Sequence, residues 1–176
     1  MMLATLDIRR AVPTDAARLA ELARRSFVAV FEDEQQAENA ALAAAEIFSD
    51  AQIRAELADS TSTFIWAEQA GIPAGYAKLR RDTDVDCISS PRPVQLERMY
   101  AETDQIGLGI GKLLLHTAIK IVQSEGYQTL WGSVWEHNDR AIEFYRRQGF
   151  VEVGSNEFML GRERQTDVIM QLDLRR

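Results

Sequence analysis

Residues 94–126 carry a short β-type run, three glycines at alternate positions and an amphipathic helical pattern, in that order. Val94, Leu96 and Tyr100 belong to the β run, and Gly107, Gly109 and Gly111 follow it. Beyond them Ile110, Leu113, Leu114, Ala118, Ile121 and Val122 recur at helical spacing, so one helix face is apolar. Gly126 stands where the glycine that ends a helix is expected. Glycines at a strand-to-helix junction let the backbone approach a ligand and aim free N–H groups at it. The helix N-terminus behind them adds partial positive charge, which suits a phosphate or pyrophosphate.

The spacing separates the phosphate loops this could be. A dinucleotide-binding fingerprint needs G-x-G-x-x-G, whereas these glycines fall at i, i+2 and i+4. A Walker loop needs a glycine five residues before Gly-Lys and a hydroxyl residue after it; the chain has Ile106 and Leu113 at those places. On spacing alone, a flexible turn stays open as the alternative.

A chain of 176 residues is long enough for one domain with a full core, here residues 1–176. No apolar run approaches the ~20 residues of a membrane span, and Asp7, Arg9, Arg10 and Asp15 interrupt the N-terminal apolar residues, so no signal-peptide core is read there. Cys87 is the only cysteine, which removes an intrachain disulfide and a thiolate metal cluster from consideration. A reducing cytoplasm is the expected compartment. The net charge of −7 speaks against nucleic acid or an anionic membrane as partner and is compatible with a cationic substrate.

The remaining pattern predicts alternating elements. Residues 6–12 alternate as a first strand, and Pro13-Thr14-Asp15 opens a helix with Thr14 or Asp15 as cap. Glu32-Asp33-Glu34 reads as an acidic, solvated break, and residues 40–48 as a helix by propensity. Ser49 followed by Gln52 is a capping-box pattern for a helix to about Leu57. Residues 63–68 and 75–80 form a hairpin around a turn containing Gly71 and Pro73, and Asp82, Asp84 and Asp86 follow in a polar connection. Residues 129–135 form a strand, Asn138-Asp139 starts a helix that Gly149 ends, and residues 150–153 and 167–172 are the last strands. The expectation is one mixed α/β domain without repeats or linkers.

The segment 135–150 makes the glycine turn specific. Its Asn138, Ala141, Tyr145, Gly149 and Phe150 form N-x-x-A-x-x-x-Y-x-x-x-G-F, about thirty residues after the loop. Together the two motifs resemble the GNAT superfamily of acetyl-CoA-dependent N-acetyltransferases. Residues 48–57, 75–79, 96–100 and 154–170 are further similar to the PaiA-type bacterial spermidine/spermine N-acetyltransferases. The chain departs from the family at Ile106, where a Gln or Arg is usual; Gln105 stands one place earlier.

The resemblance implies an α/β (α+β) fold: a single twisted mixed β-sheet of about seven strands with helices on both faces, whose central strands splay to admit acetyl-CoA. It implies that Met99, Tyr100 and Ala101 meet the pantetheine arm, Met99 and Ala101 through main-chain groups. Ile106, Gly107, Leu108, Gly109, Ile110, Gly111 and Lys112 would cradle the pyrophosphate. Asn138, Ala141 and Tyr145 complete the implied contacts, with capping as the default role of Asn138. Ala141 and Tyr145, at i and i+4, share a helix face, so the small residue leaves room beside the phenol.

Tyr145 is the expected acid, since a hydroxyl near the thioester sulfur can protonate the thiolate as it leaves; core packing is its ordinary alternative. A protonated amine must lose a proton before attack, and Glu97 on the central strand or Glu136 at the end of the next is the expected base, with surface carboxylate as the alternative for both. His116 and His137 are too far apart in sequence to suggest a metal, and none is expected. The expected reaction is direct attack of a primary amine, such as spermidine or spermine, on acetyl-CoA in a ternary complex. A protein N-terminus or lysine as acceptor, or a non-catalytic acetyl-CoA-binding regulator, are the other readings, and a homodimer stays open.

Overall fold

The computed structural model describes residues 5–175. Their strands build a 7-stranded sheet in the order β1-β2-β3-β4-β5-β7-β6. The strands are β1 (Leu6–Arg10), β2 (Ser62–Gln69), β3 (Ile72–Arg80), β4 (Pro93–Ala101), β5 (Thr129–Trp135), β6 (Val151–Leu160) and β7 (Glu163–Asp173). The helices are α1 (Ala16–Val28), α2 (Glu34–Ile47), α3 (Asp50–Ala58), α4 (Ile110–Ser124) and α5 (Asp139–Arg147). Neighbouring strands pair antiparallel except β4 and β5, which run parallel.

Both faces of the sheet are covered, which is why β2 reads as an unbroken apolar run. Ile65 and Ala67 point to one face, with Ala77, Leu79, Val94 and Leu96, and meet Ile110, Leu114, Leu115, Ala118 and Val122 of α4. Phe64 and Trp66 point to the other, with Tyr76, and meet Leu19, Leu22 and Ala23 of α1 and Ile53 of α3. Each fully buried leucine among these is worth about 1.5–3 kcal/mol of transfer free energy, so the two apolar helix stripes fix which face each helix takes.

Several local expectations change in the folded chain. Asp15 is the N-cap residue of α1 as expected, but its side chain makes no cap hydrogen bond there; Pro13–Asp15 form a 3-10 turn, and the Asp15 carboxylate accepts the Val12 N–H at 2.7 Å and a paired Arg9 contact at 2.8 and 2.9 Å. A nearby guanidinium draws the carboxylate more strongly than a free helix N–H. The acidic run 32–34 is not all loop. Asp33 accepts the Gln36 N–H at 3.0 Å and caps α2, and Glu34 lies in its first turn, where the helix dipole favours a negative charge.

Pro73 lies in β3 rather than in the hairpin turn, beside a register shift at Ala67/Glu68 that removes the need for its missing N–H. Ala70 and Gly71, with φ of 50° and 77°, make the turn. β6 and β7 run longer than their apolar residues suggest, because β6 is an edge strand exposed over most of its length. Ser49 accepts the Gln52 N–H at 3.2 Å as the pattern predicts, and Gly126 ends α4 with φ of 79°.

Candidate active site

The site arises where the sheet opens. β4 and β5 pair only at Pro93↔Thr129, Val94↔Leu130 and Gln95↔Trp131. Beyond Gln95, β4 follows β3 to Ala101 while β5 follows β7 to Trp135, so the two strands separate. A bulge accompanies the parting: Lys78 pairs with Arg98 and Leu79 with Leu96, leaving Glu97 as an extra residue in β4. At the parting itself β5 has Gly132, where a Cβ would lie 3.0 Å from the Leu96 carbonyl oxygen.

The glycine turn closes one end of this opening. Gly107 and Gly109 have φ of 88° and 86°, a region L-residues enter at a cost of about 1–2 kcal/mol. Among the described residues, nothing beyond their chain neighbours lies within 4 Å of where their Cβ atoms would be, so the space over the turn is open. Leu113 N–H is bonded to the Gly109 carbonyl at 3.0 Å, whereas the N–H groups of Ile110, Gly111 and Lys112 precede any intrahelical acceptor and point out of the helix start. A site of free amides at a helix N-terminus fits a pyrophosphate.

A cleft of about 670 Å³ runs from this turn into the opening. Of the residues predicted for the cofactor, it is lined by Met99, Tyr100, Ala101, Ile106, Gly107, Gly109, Gly111, Lys112, Asn138, Ala141 and Tyr145. Leu108 and Ile110 are not in its wall: the Leu108 side chain is exposed, and Ile110 turns into the core beneath Gly75. Gln105, noted one place before the usual loop position, is in the wall as well, and sequence reading missed Ser26 on α1, Ala29 and Val30 just beyond it, and Arg140, Phe144 and Arg147 beside the α5 motif. The α1 residues carry no motif, and only the fold brings them to the cleft. Lys112 and Arg140 give the wall cationic groups suited to phosphates, whereas Arg147 is paired there with Glu143 at 2.9 Å.

Tyr145 stands on α5, which Asn138 caps by accepting the Ala141 N–H at 3.2 Å. Its ring is wedged edge-on between Phe144 and Phe150, at centroid distances of 5.4 and 5.1 Å. Burial, with a smaller contribution from Tyr100, pushes the Tyr145 phenol well above its ordinary range, so it keeps its proton at neutral pH. Tyr100 also lines the cleft, stacks on Tyr76 at 5.8 Å, and is pushed up to about 12 by burial.

Glu97 lies outside the cleft wall, in a buried ion network on the α1–α3 face. Lys78 contacts both Glu97 and Glu56, the latter at 2.9 Å; Arg98 grips Glu56 at 2.7 and 3.1 Å, and Arg80 reaches Glu97 at 3.2 Å. Glu136 is exposed at the end of β5, with His137 Nε2 at 3.7 Å. Among the described residues no group of three or more His, Cys, Asp or Glu side chains could hold a metal ion, and no helix is long and apolar enough to cross a membrane.

Comparison with known proteins matches this geometry. The model of the acetyltransferase (GNAT) family covers residues 16–150. An uncharacterised N-acetyltransferase from the pepI 3′ region of Lactobacillus delbrueckii subsp. lactis is 29% identical over 150 residues, spanning 85% of this chain and 87% of that protein. The fold is similar to PaiA N-acetyltransferase from Thermoplasma acidophilum in complex with coenzyme A, with a TM-score of 0.74, 23% identity, and 96% and 99% of the two chains covered. It is also similar to ribosomal-protein-S18-alanine N-acetyltransferase from Escherichia coli, with a TM-score of 0.71, 20% identity, and 97% and 94% covered. At these identities the structural likenesses speak for the fold alone.

Proposed function

Given that the chain belongs to the acetyltransferase (GNAT) family, and is on that ground an acetyl-CoA-dependent N-acetyltransferase, we propose that its acceptor is a primary aliphatic amine of the polyamine type, such as spermidine or spermine. The observation that carries the site assignment is the parting of β4 from β5 after Gln95↔Trp131, with the glycine turn at one end and Tyr145 in the wall. The turn from Gly107 to Lys112 would bind the pyrophosphate, chiefly through the free main-chain N–H groups of Ile110, Gly111 and Lys112, which tolerate Ile106 in place of a polar side chain. The edge of β4 at Met99–Ala101, left by β5, would take the pantetheine amides as a strand takes a neighbour.

Bound this way, acetyl-CoA supplies an activated acyl group at the opening of the sheet. Tyr145 holds a proton that its buried phenol keeps until a stronger base forms beside it, and a departing thiolate is such a base. No covalent enzyme intermediate is needed, because the amine can reach the thioester carbon directly through the opening. The chain's net charge of −7 and its similarity to PaiA-type enzymes over residues 154–170 support a polycationic acceptor.

Thiol release from acetyl-CoA in the presence of spermidine, spermine, putrescine, amino acids, aminoglycosides and short peptides tests the reading. Turnover confined to polyamines is expected. Turnover confined to peptides would replace it with a protein acceptor.

A further inference from the structure

We propose that Asp167 receives the acceptor's ammonium group on the sheet face opposite α4 and α5 and takes its proton before attack. This rests on the amine-acetyltransferase reading and assigns the base within it. Asp167 is on β7, directly opposite Trp135 of β5, at the level where β4 no longer pairs with β5. Strand alternation places it on the same face as Ile169, whereas Val168 and Met170 join the core under α4. Along that face it stands between two apolar groups, Ile88–Trp131–Ile169 on one side and Phe31–Leu160 with Trp135 on the other.

Among the described residues no hydrogen bond or ion pair holds the Asp167 carboxylate. Glu97, by contrast, is engaged by Lys78 and Arg80. Burial, and then the charge of Glu136, raise Asp167 to about 6, which makes it a stronger base than an ordinary carboxylate yet ionised at neutral pH. The other groups bearing on it are neutral at that pH or committed elsewhere. The Tyr100 phenol feels its charge, Asn156 faces it from β6, and Arg98, whose charge also reaches Tyr100, is bound to Glu56.

Tyr100 links this face to the reaction. It lines the cleft together with Tyr145, while Asp167 stands behind it outside the cleft wall, near enough for its charge to raise the Tyr100 phenol. Across the opening, Ser26 of α1 is in the cleft wall with its hydroxyl buried and, among the described residues, without a hydrogen-bond partner, a polar group for a second N–H of the acceptor. Asp167 takes one proton from R–NH3+, leaving the nitrogen lone pair. A bond forms from nitrogen to the thioester carbonyl carbon and the C–S bond breaks. The sulfur takes the Tyr145 proton, the nitrogen gives a second proton to solvent, and solvent restores Tyr145 and deprotonates Asp167.

The test is the pH dependence of kcat/KM for the amine in wild type, Asp167→Asn and Asp167→Glu, with acetyl-CoA affinity measured by calorimetry. Wild type is expected to show an acidic limb centred near 6. Asp167→Asn is expected to lose that limb and about 100-fold or more of kcat/KM at pH 7 while binding acetyl-CoA normally. Asp167→Glu, which keeps the charge, is expected to retain the limb at reduced rate. A folded Asp167→Asn variant with the wild-type profile, or an Asp167→Glu variant without the limb, overturns the assignment. Wild-type protein that binds acetyl-CoA and acetylates no amine overturns the underlying reading, and the assignment with it.

Discussion

Gly75 and Tyr100 approach so closely across the β3–β4 ladder that a Cβ on the glycine would lie 2.7 Å from the Tyr100 carbonyl oxygen. The contact sets β4 where its end can border the cleft, since Tyr100 and its neighbours Met99 and Ala101 all line it. Gly75→Ala must push backbone against backbone, and the Ile110 methyl at 3.1 Å leaves no space on the other side. Such overpacking costs about 1–3 kcal/mol. The expected result is a lower Tm together with weaker acetyl-CoA binding, measured by thermal melts and calorimetry on the same preparation.

Gly109→Ala separates conformation from packing. The position has φ of 86° with open space around the missing Cβ, so the substitution meets no protein atom. The left-handed backbone alone costs about 1–2 kcal/mol. A modest fall in Tm is expected, with a larger relative loss of acetyl-CoA affinity because the added methyl projects where the pyrophosphate would lie. Equal affinities for variant and wild type would remove the turn from the binding site.

Tyr145→Phe keeps the ring between Phe144 and Phe150 and deletes the hydroxyl. A drop in kcat of about 100-fold or more is expected, with acetyl-CoA affinity unchanged. Because burial holds the wild-type phenol far above its ordinary range, no basic limb from Tyr145 should enter the pH profile below about pH 10.

Asp167 also makes a prediction about stability. Its folded pKa of about 6 lies above the ordinary carboxylate value of 3.8, so the folded state binds the proton more tightly than the unfolded chain. Above pH 6 both states are ionised and the buried charge is a net penalty; on acidification through that range the penalty fades. Solvent at the partly exposed carboxylate reduces it to about 1–2 kcal/mol. Asp167→Asn is therefore expected to raise Tm at pH 8, with the difference from wild type narrowing as pH falls below 6 and closing only below about 3.8. A residue kept for structure alone would lower it.

Glu56 has the opposite sign. Burial is the largest influence and would raise its pKa, but the Arg98 hydrogen bonds and charge, with Gln52 and Lys78, outweigh it and hold the group below the ordinary 4.5. Its stabilisation is present above the unfolded value and is lost as pH falls through the lower folded value. Glu56→Gln removes the anion that Arg98 grips, while Lys78 keeps Glu97, and is expected to cost about 1–3 kcal/mol at pH 7. Acid-unfolding curves should show the difference from wild type narrowing below pH 4.5.

Much of this fold was legible because the chain writes its elements in strong periodicities. Strand β5 has the predicted bounds, the cap on α3 is the predicted Ser49, and Asn138 and Gly149 bracket α5. What escaped had a local competitor or no local signal. Asp15 has a guanidinium within reach, Pro73 is accommodated by a bulge, and edge strand β6 alternates polar residues that bury little. At the site, the glycine turn and the α5 motif are contiguous in sequence and read directly. Ser26 comes to the cleft only through the fold, which places α1 over β4, and Asp167 is set beside Trp135 only through the sheet order, which places β7 beside β5. Glu97, chosen for its place on the central strand, is turned by the β4 bulge toward Lys78 rather than the cleft, an orientation that sequence spacing cannot register.

Steady-state thiol release from acetyl-CoA with spermidine as acceptor, run for wild type and Tyr145→Phe side by side, bears most directly on the central claim. Saturable turnover by wild type, reduced about 100-fold or more in the variant at unchanged acetyl-CoA affinity, is the predicted result. Equal turnover by the two proteins, or acetyl-CoA binding without acetylation of spermidine, would contradict it.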